Sequence, residues 1–236
     1  MNKIKKVLLS VLGAGLMACS SHVEIIATDE VVHVDGEQKD LILDSLISIY
    51  RDSLRGEMDE IIAYSKVDLT VSRKPSGTLS NWAADALLSE ETKNVRLSIP
   101  AIAILNTGGL RSSLNQGDLT VGDFYRLMPF DNEVVWVKLP SSTIAEIVAY
   151  YHSKGGDPIS NAIIDDNGLV FSSQATDVEE FWVITSDYLM NGGDNMNFFK
   201  SATEKVLTGR FLRDVFINAA IAQDTLIVNT ENRMNF

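Results

Sequence analysis

Asn106-Thr107-Gly108-Gly109-Leu110-Arg111 restricts the fold more than any other stretch, because it directly follows the apolar run 101–105. A buried strand that breaks into paired glycines lets the backbone approach a ligand closely. A second stretch, Tyr188-Leu189-Met190-Asn191-Gly192-Gly193-Asp194, repeats this pattern, and each stretch ends in a charged side chain. The two stretches together predict one ligand pocket formed where buried strands end in glycine turns.

Helical and strand patterns interleave along the rest of the chain. Apolar residues recur at helical spacing over 39–65 and predict one long packing helix, with Gly56 as the point where it can break. Alternation predicts a half-buried strand over 67–72, and Asp165-Asp166-Asn167-Gly168 predicts a hairpin turn. Further strands are expected within 97–105 and over 134–139, 181–185 and 226–228, and further helices over 81–89, 121–128, 141–153 and 209–222. The frequent hairpin signals favour an α+β fold with mixed sheets over a purely parallel sheet.

The start of the chain has the pattern of an export signal. Three lysines among the first six residues precede an apolar run over 7–17, which is too short to span a bilayer comfortably. The run ends in Leu16-Met17-Ala18-Cys19, which matches a bacterial lipobox; an ordinary signal peptide with an incidental cysteine is the alternative. We expect a lipoprotein signal peptide over 1–18 and a lipid anchor at Cys19, which would place the protein in the bacterial cell envelope.

A tether over 19–38 and one domain over 39–236 are expected to follow. The composition, 45% hydrophobic, is sufficient for one sizeable core. Cys19 is the only cysteine, so the domain has no disulfide. The formal net charge of −12 disfavours nucleic acid as a partner, and contact with a membrane is expected through the lipid anchor only.

The sequence lacks the usual patterns of metal and nucleophile sites. Its three histidines are His22, His33 and His152, and none lies in an Asp-x-His, His-x-His or Asn-His pair. A two-metal hydrolase needs several such ligands around closely spaced ions. A Ser-His-Asp triad would have only His152 as a base, and no phosphate-binding loop motif occurs. We therefore expect no metal and no cofactor to be held by this chain.

Five side chains near the predicted pocket suit a ligand with a flat ring and an anionic group. Arg111 follows the first glycine turn and Arg73 lies in a loop after the 67–72 strand, and guanidinium groups match phosphate oxygens. Phe130 and Tyr188 could stack on a base, and Asp194 could accept hydrogen bonds from sugar hydroxyls. Taken singly, each has a structural alternative: a surface arginine, a core ring or a turn aspartate. Their combination favours the ligand interpretation.

The chain resembles the C-terminal, substrate-recognition domain of the 5′-nucleotidases, a family that includes UDP-sugar hydrolases and 2′,3′-cyclic phosphodiesterases. Four segments carry the resemblance: Gly77-Thr78-Leu79-Ser80-Asn81-Trp82-Ala83-Ala84-Asp85-Ala86, the 106–111 stretch, Met128-Pro129-Phe130-Asp131-Asn132 and the 188–194 stretch. The similarity runs from about residue 39 to the C-terminus. It implies a four-layer α-β-β-α arrangement with mixed sheets.

The resemblance also assigns roles within the pocket. It implies that Arg111 binds phosphate and ribose oxygens, that Asn106 lies near the base, and that Asp194 binds the ribose. Arg73 corresponds to the arginine in the family's first strand-loop and is expected to be a further substrate-binding residue. Phe130 and Tyr188 become the two stacking rings. The turns depend on the structural glycines Gly108, Gly109, Gly192 and Gly193. This chain departs from the family's pattern at Tyr188, where Phe is common, and at Thr107 and Ser80, where Gly is common.

In that family a separate metallophosphoesterase domain holds two metals, and here we expect the signal peptide and tether in its place. The leading hypothesis is half an enzyme: this chain would bind a nucleoside or nucleoside 5′-phosphate, and a separately encoded metallophosphoesterase would supply the divalent metals. The chain is not expected to hydrolyse its ligand alone. The alternatives are a non-catalytic nucleotide-binding lipoprotein of the surface, or a scaffold whose pocket serves a protein partner.

Overall fold

The computed structural model describes residues 40–72, 77–173 and 178–236. The chain divides into two units between residues 45 and 46, and of the first unit only 40–45 are described. The helices are α1 (Leu41–Met58), α2 (Thr78–Thr92), α3 (Val121–Leu127), α4 (Ile144–Lys154), α5 (Asp187–Met190) and α6 (Leu212–Gln223). The strands are β1 (Ile61–Ser65), β2 (Ala101–Ile104), β3 (Gly117–Thr120), β4 (Glu133–Pro140), β5 (Ile159–Ser160), β6 (Ala162–Asp165), β7 (Gly168–Phe171), β8 (Glu180–Ser186), β9 (Glu204–Phe211) and β10 (Met234–Asn235).

The main sheet has five strands in the order β5-β2-β8-β4-β9. Strands β2 and β8 run parallel, whereas β4 is antiparallel to both β8 and β9, and β5 is antiparallel to β2. A three-stranded sheet has the order β10-β6-β7, in which β10 is parallel to β6 and the predicted 165–168 hairpin joins β6 to β7. A two-stranded sheet pairs β1 with β3. The predicted α+β class with mixed sheets is confirmed.

Two apolar cores lie on opposite faces of the main sheet. On one face, α2 and α6 bring Trp82 and Phe216 together, with ring centroids 5.6 Å apart. On the other face, the β6–β7 hairpin and α4 cover the sheet, and Tyr151 of α4 is fully buried there. The resulting order of layers is helices, main sheet, small sheet and helix, which is the α-β-β-α arrangement implied by the resemblance.

The helix predicted over 39–65 is wrong at its C-terminal end and in its role. Helix α1 ends at Met58, and none of its residues is buried, so within the described residues it is not a packing helix. Residues 61–65 form β1 instead, because they pair antiparallel with β3. Tyr64 also exchanges backbone hydrogen bonds with the segment that follows α6: the Tyr64 N–H donates to the Asp224 carbonyl, and the Leu226 N–H donates to the Tyr64 carbonyl. Tertiary pairing here overrides a spacing that also suits a helix.

Three smaller expectations also need correction. The 67–72 strand is reduced to one antiparallel bridge between Leu69 and Leu114. The last helix begins at Leu212 rather than at 209, because residues 209–211 belong to β9, which pairs with β4. Residues 226–228 form no strand, and the final strand is β10. The helices predicted over 81–89, 121–128 and 141–153 and the strands within 97–105 and over 134–139 and 181–185 are present, with shifted ends.

The predicted signal peptide, the Cys19 anchor and the tether lie outside the described residues. Within the described part of the chain, no helix has both the length and the apolar character needed to cross a bilayer.

Candidate functional site

The geometry of the candidate site begins with the main sheet. Parallel strands β2 and β8 end at the same edge, and antiparallel β4 begins there, with Val134 opposite Ser186. Asn106 lies just after β2, Tyr188 just after β8, and Phe130 just before β4. The sheet therefore gathers three predicted site residues that are far apart in sequence at one edge.

These segments enclose a cavity of about 380 Å³. Its lining consists of Asn106, Gly108, Gly109, Arg111, Phe130, Asn132, Tyr188 and Asp194. The Phe130 and Tyr188 side chains are 42% and 48% exposed, so both rings are open to water rather than part of a core. A flat apolar group entering this cavity would meet ring surface, since aromatic side chains stack on bases of any kind.

The Asp194 carboxylate is held at the cavity wall by two donors. The Asn106 side-chain amide donates to its Oδ2 at 2.8 Å, and the Tyr188 hydroxyl donates to its Oδ1 at 3.1 Å. The Lys154 ammonium lies 3.9 Å from Oδ2. An ionised carboxylate has about four acceptor positions, so Asp194 can still accept hydrogen bonds from a ligand.

Arg111 is available for an anionic group. Its guanidinium donates to the Gly108 carbonyl at 3.3 Å and lies 5.9 Å from the centre of the Phe130 ring. Among the described residues it forms no ion pair with a carboxylate. Arg111 and Asp194 also line an adjoining cavity of about 540 Å³, to which Lys154 contributes a second cation. The predicted partner cation Arg73 lies outside the described residues.

Position 109 in the first glycine turn requires glycine for a steric reason. A Cβ there would lie 2.8 Å from the Asn106 side-chain oxygen, so a larger residue would displace the amide that supports Asp194. Gly108 lines the cavity beside it. Gly192 and Gly193 precede Asp194 in the second turn, and Gly192 has a φ of +91°, which favours glycine.

A third glycine turn, Lys154-Gly155-Gly156-Asp157, was missed by the sequence analysis. Asp157 is only 2% exposed; it accepts a hydrogen bond from the Thr107 backbone N–H at 2.8 Å and one from the Tyr150 hydroxyl at 2.6 Å. Burial, and then the hydrogen bond to Asp157, raises the pKa of the Tyr150 phenol, so it remains a donor at neutral pH. Through the hydrogen bonds from Thr107 and Tyr150, Asp157 holds the 106–111 turn in place. A second Gly-Gly-Asp in the sequence was the signal that could have identified it.

Two further residues that were not predicted hold the ring-bearing segments. The Asp187 carboxylate accepts hydrogen bonds from the Asn132 side chain and the Glu133 backbone, which joins the Tyr188 turn to the segment after Phe130. Arg213 is only 8% exposed and donates to the Asp131 carboxylate at 2.8 Å. Its buried position under the 128–131 loop gives it a structural role.

Within the described residues, no three or more His, Cys, Asp or Glu side chains are grouped so that they could hold a metal ion. The site offers two ring surfaces, a carboxylate with spare acceptor capacity and the Arg111 guanidinium. This set can hold a molecule that combines a flat ring, hydroxyl groups and an anionic group.

Comparison with known proteins identifies the family. Residues 56–201 match the family described as 5′-nucleotidase, C-terminal domain. The chain belongs to this family.

The individual relatives are longer proteins. The trifunctional nucleotide phosphoesterase protein YfkN of Bacillus subtilis is 30% identical over 132 residues, which cover 53% of this chain and 8% of that protein. An apyrase of Tabanus yao is 23% identical over 211 residues, which cover 75% of this chain and 38% of the apyrase. The chain therefore spans well under half the length of these relatives.

Solved structures share the fold. A 5′-nucleotidase precursor from Thermus thermophilus superposes with a TM-score of 0.66 at 23% identity, covering 84% of this chain and 43% of that one. The NAD nucleotidase NadN of Haemophilus influenzae gives a TM-score of 0.63 at 18% identity, covering 83% of this chain and 41% of that one. These likenesses support the α+β assignment described above.

Replacing Asp157 tests whether it fastens the site. Asp157→Ala removes the buried acceptor of two part-buried donors, so we expect the free energy of unfolding to fall by about 1–3 kcal/mol in total. Asp157→Asn should retain most of the stability, because its oxygen can still accept from Thr107 and its amide can donate to the Tyr150 hydroxyl oxygen. Urea denaturation followed by circular dichroism measures both changes. The control is Asp118→Ala, at an exposed position of β3; equal stability of the two alanine variants would show that Asp157 fastens nothing.

Proposed function

We propose that this chain is the nucleoside- and nucleotide-recognition domain of a 5′-nucleotidase-type phosphohydrolase that acts in nucleotide catabolism. The observation that carries the proposal is the cavity in which two exposed rings, Arg111 and Asp194 meet. In the proposed complex the base stacks between Phe130 and Tyr188, the ribose hydroxyls donate to Asp194, and Arg111 binds the phosphoryl group. Membership of the family supports this assignment of roles.

The hydrolytic step belongs, in this proposal, to a separately encoded metallophosphoesterase that supplies the divalent metals. The sequence motivates this part, since no histidine in it lies in a two-metal ligand pattern. Arg73 is proposed as a further substrate-binding residue, by its correspondence to the family's strand-loop arginine. The chain is proposed to be exported and anchored in the bacterial cell envelope by a lipid on Cys19, from the lipobox pattern at 16–19.

Removing one ring should weaken the binding of any nucleoside. Base–aromatic stacking contributes about 1–3 kcal/mol, so Phe130→Ala should raise the Kd for adenosine by roughly five- to 150-fold. The measurement is titration calorimetry on the folded chain. Phe211→Ala is the matched control, because Phe211 is similarly exposed, at 43%, and lies outside the cavity.

An unchanged Kd in Phe130→Ala would contradict the stacking role. If the folded wild-type chain gives no heat with either adenosine or AMP, the nucleoside-binding proposal fails and a scaffold role is favoured.

Arg111 should discriminate a nucleotide from its nucleoside. The Arg111 guanidinium lacks a carboxylate partner among the described residues. We therefore expect Arg111→Ala to raise the Kd for AMP by about tenfold or more and the Kd for adenosine by much less. Raising the salt concentration should reduce this difference, since charge pairing is screened. Arg126→Ala serves as the control, because Arg126 is an exposed arginine on α3 paired with Asp123. Equal losses for AMP and adenosine would show that Arg111 does not bind phosphate.

The partner part of the proposal has its own test. Phosphate release from AMP should rise when this chain is added to a separately encoded metal-dependent phosphoesterase of the same organism. The Phe130→Ala chain should give less of this gain, because it delivers less bound nucleotide. If the wild-type chain adds nothing to the activity of the phosphoesterase alone, the half-enzyme proposal is wrong, and a wild-type chain that still binds AMP would then be a non-catalytic binding protein.

A further inference from the structure

Tyr188 has two functions within one side chain. Its ring lines the cavity, and its hydroxyl donates a hydrogen bond to Asp194 Oδ1 at 3.1 Å. A phenylalanine would provide the ring surface but could not donate to the carboxylate. The Tyr188 hydroxyl therefore adds a hydrogen bond to Asp194 that a stacking ring alone would not supply.

Gly193 makes this arrangement possible. A Cβ at position 193 would lie between 2.4 and 2.6 Å from three atoms of the Tyr188 ring, which is closer than real contacts allow. The ring thus packs directly on the backbone of the turn that carries Asp194. Packing at Gly193 and the hydrogen bond at Asp194 together close the 188–194 segment into a loop.

Asp194 needs such support because its own backbone is unusual. Its φ of 53° and ψ of 20° lie in the left-handed region, which residues with a Cβ rarely adopt. Conformations of this kind persist where the surroundings hold them in place. The side-chain donors to Asp194 within hydrogen-bonding distance are Tyr188 and Asn106, one on each carboxylate oxygen.

We infer that the Tyr188 hydroxyl is a positioning group that sets the Asp194 carboxylate for a vicinal diol. Each carboxylate oxygen has one acceptor position occupied by a protein donor and about one left open. Two open positions on a carboxylate of fixed orientation match two neighbouring hydroxyls. This inference rests on the proposed function, and it adds that Tyr188 contributes to the selection of ribose over sugars that lack the diol, without contacting the sugar hydroxyls itself.

The test compares two ligands that share a base but differ in the sugar. Titration calorimetry of the full chain with adenosine and with 2′,3′-dideoxyadenosine separates stacking from diol recognition. In Tyr188→Phe, we expect the Kd for adenosine to rise by about three- to thirtyfold, because a hydrogen bond to a charged group is lost. The Kd for dideoxyadenosine should change less than about twofold, because the phenyl ring still stacks.

Two variants complete the comparison. Gly193→Ala forces the Tyr188 ring away from the turn and should raise the Kd for both ligands by a similar factor. Tyr64→Phe makes the same chemical change at an exposed tyrosine of β1 and should alter neither. Unchanged adenosine binding in Tyr188→Phe, or equal weakening of both ligands, overturns the inference.

A measurement without ligand keeps this inference separate from the proposed function. Amide hydrogen exchange across residues 188–197 should be faster in Tyr188→Phe than in wild type or Tyr64→Phe, because the turn loses one of its supports. If the wild-type chain binds neither ligand, the proposed function fails, and faster exchange still establishes that the hydroxyl holds the turn. If exchange is unchanged, the hydroxyl does not position Asp194, whatever the ligands do.

Discussion

The position of β8 between a parallel and an antiparallel neighbour is the constraint on which the rest of the structure depends. Its parallel register with β2 places the two glycine turns at one edge, and its antiparallel register with β4 brings the Phe130 loop to the same place. A shift of either register by one residue would turn every side chain of that strand to the opposite face. The two apolar cores oppose such a shift, because β8 contributes Ile184 to one and Val183 to the other.

Buried and exposed carboxylates have different tasks around this edge. Asp157 is almost fully buried, and each of its oxygens accepts from a protein donor, so its role is to hold a turn. Asp187 similarly joins the two ring-bearing segments. Asp194 is partly exposed and keeps acceptor capacity toward the cavity. Arg111 donates to the Gly108 carbonyl and keeps its remaining N–H donors. The segments that carry the ligand-binding groups are thus held in place by polar groups whose own hydrogen bonds are satisfied within the protein, as a preorganised site requires.

Sequence reasoning reached the fold class, most elements and the convergence of Asn106, Arg111, Phe130, Tyr188 and Asp194, because these lie at strand ends marked by glycine and proline. It failed at residues 61–65, where Ile61 and Ile62 fit helical spacing, and where pairing with β3 and with the segment after α6 makes the stretch a strand. It also missed Asp157, Asp187 and Arg213, because the groups they bond are backbone atoms or residues distant in sequence. Hydrogen bonds of this kind produce no periodic pattern in the amino-acid sequence.

A crystal structure of the chain soaked with adenosine is the most direct test of the central claim, that the two rings and the acid form one nucleoside site. The account predicts the base between the Phe130 and Tyr188 rings, with the ribose hydroxyls within hydrogen-bonding distance of Asp194. Adenosine bound elsewhere on the domain, or a base that contacts neither ring, would contradict it.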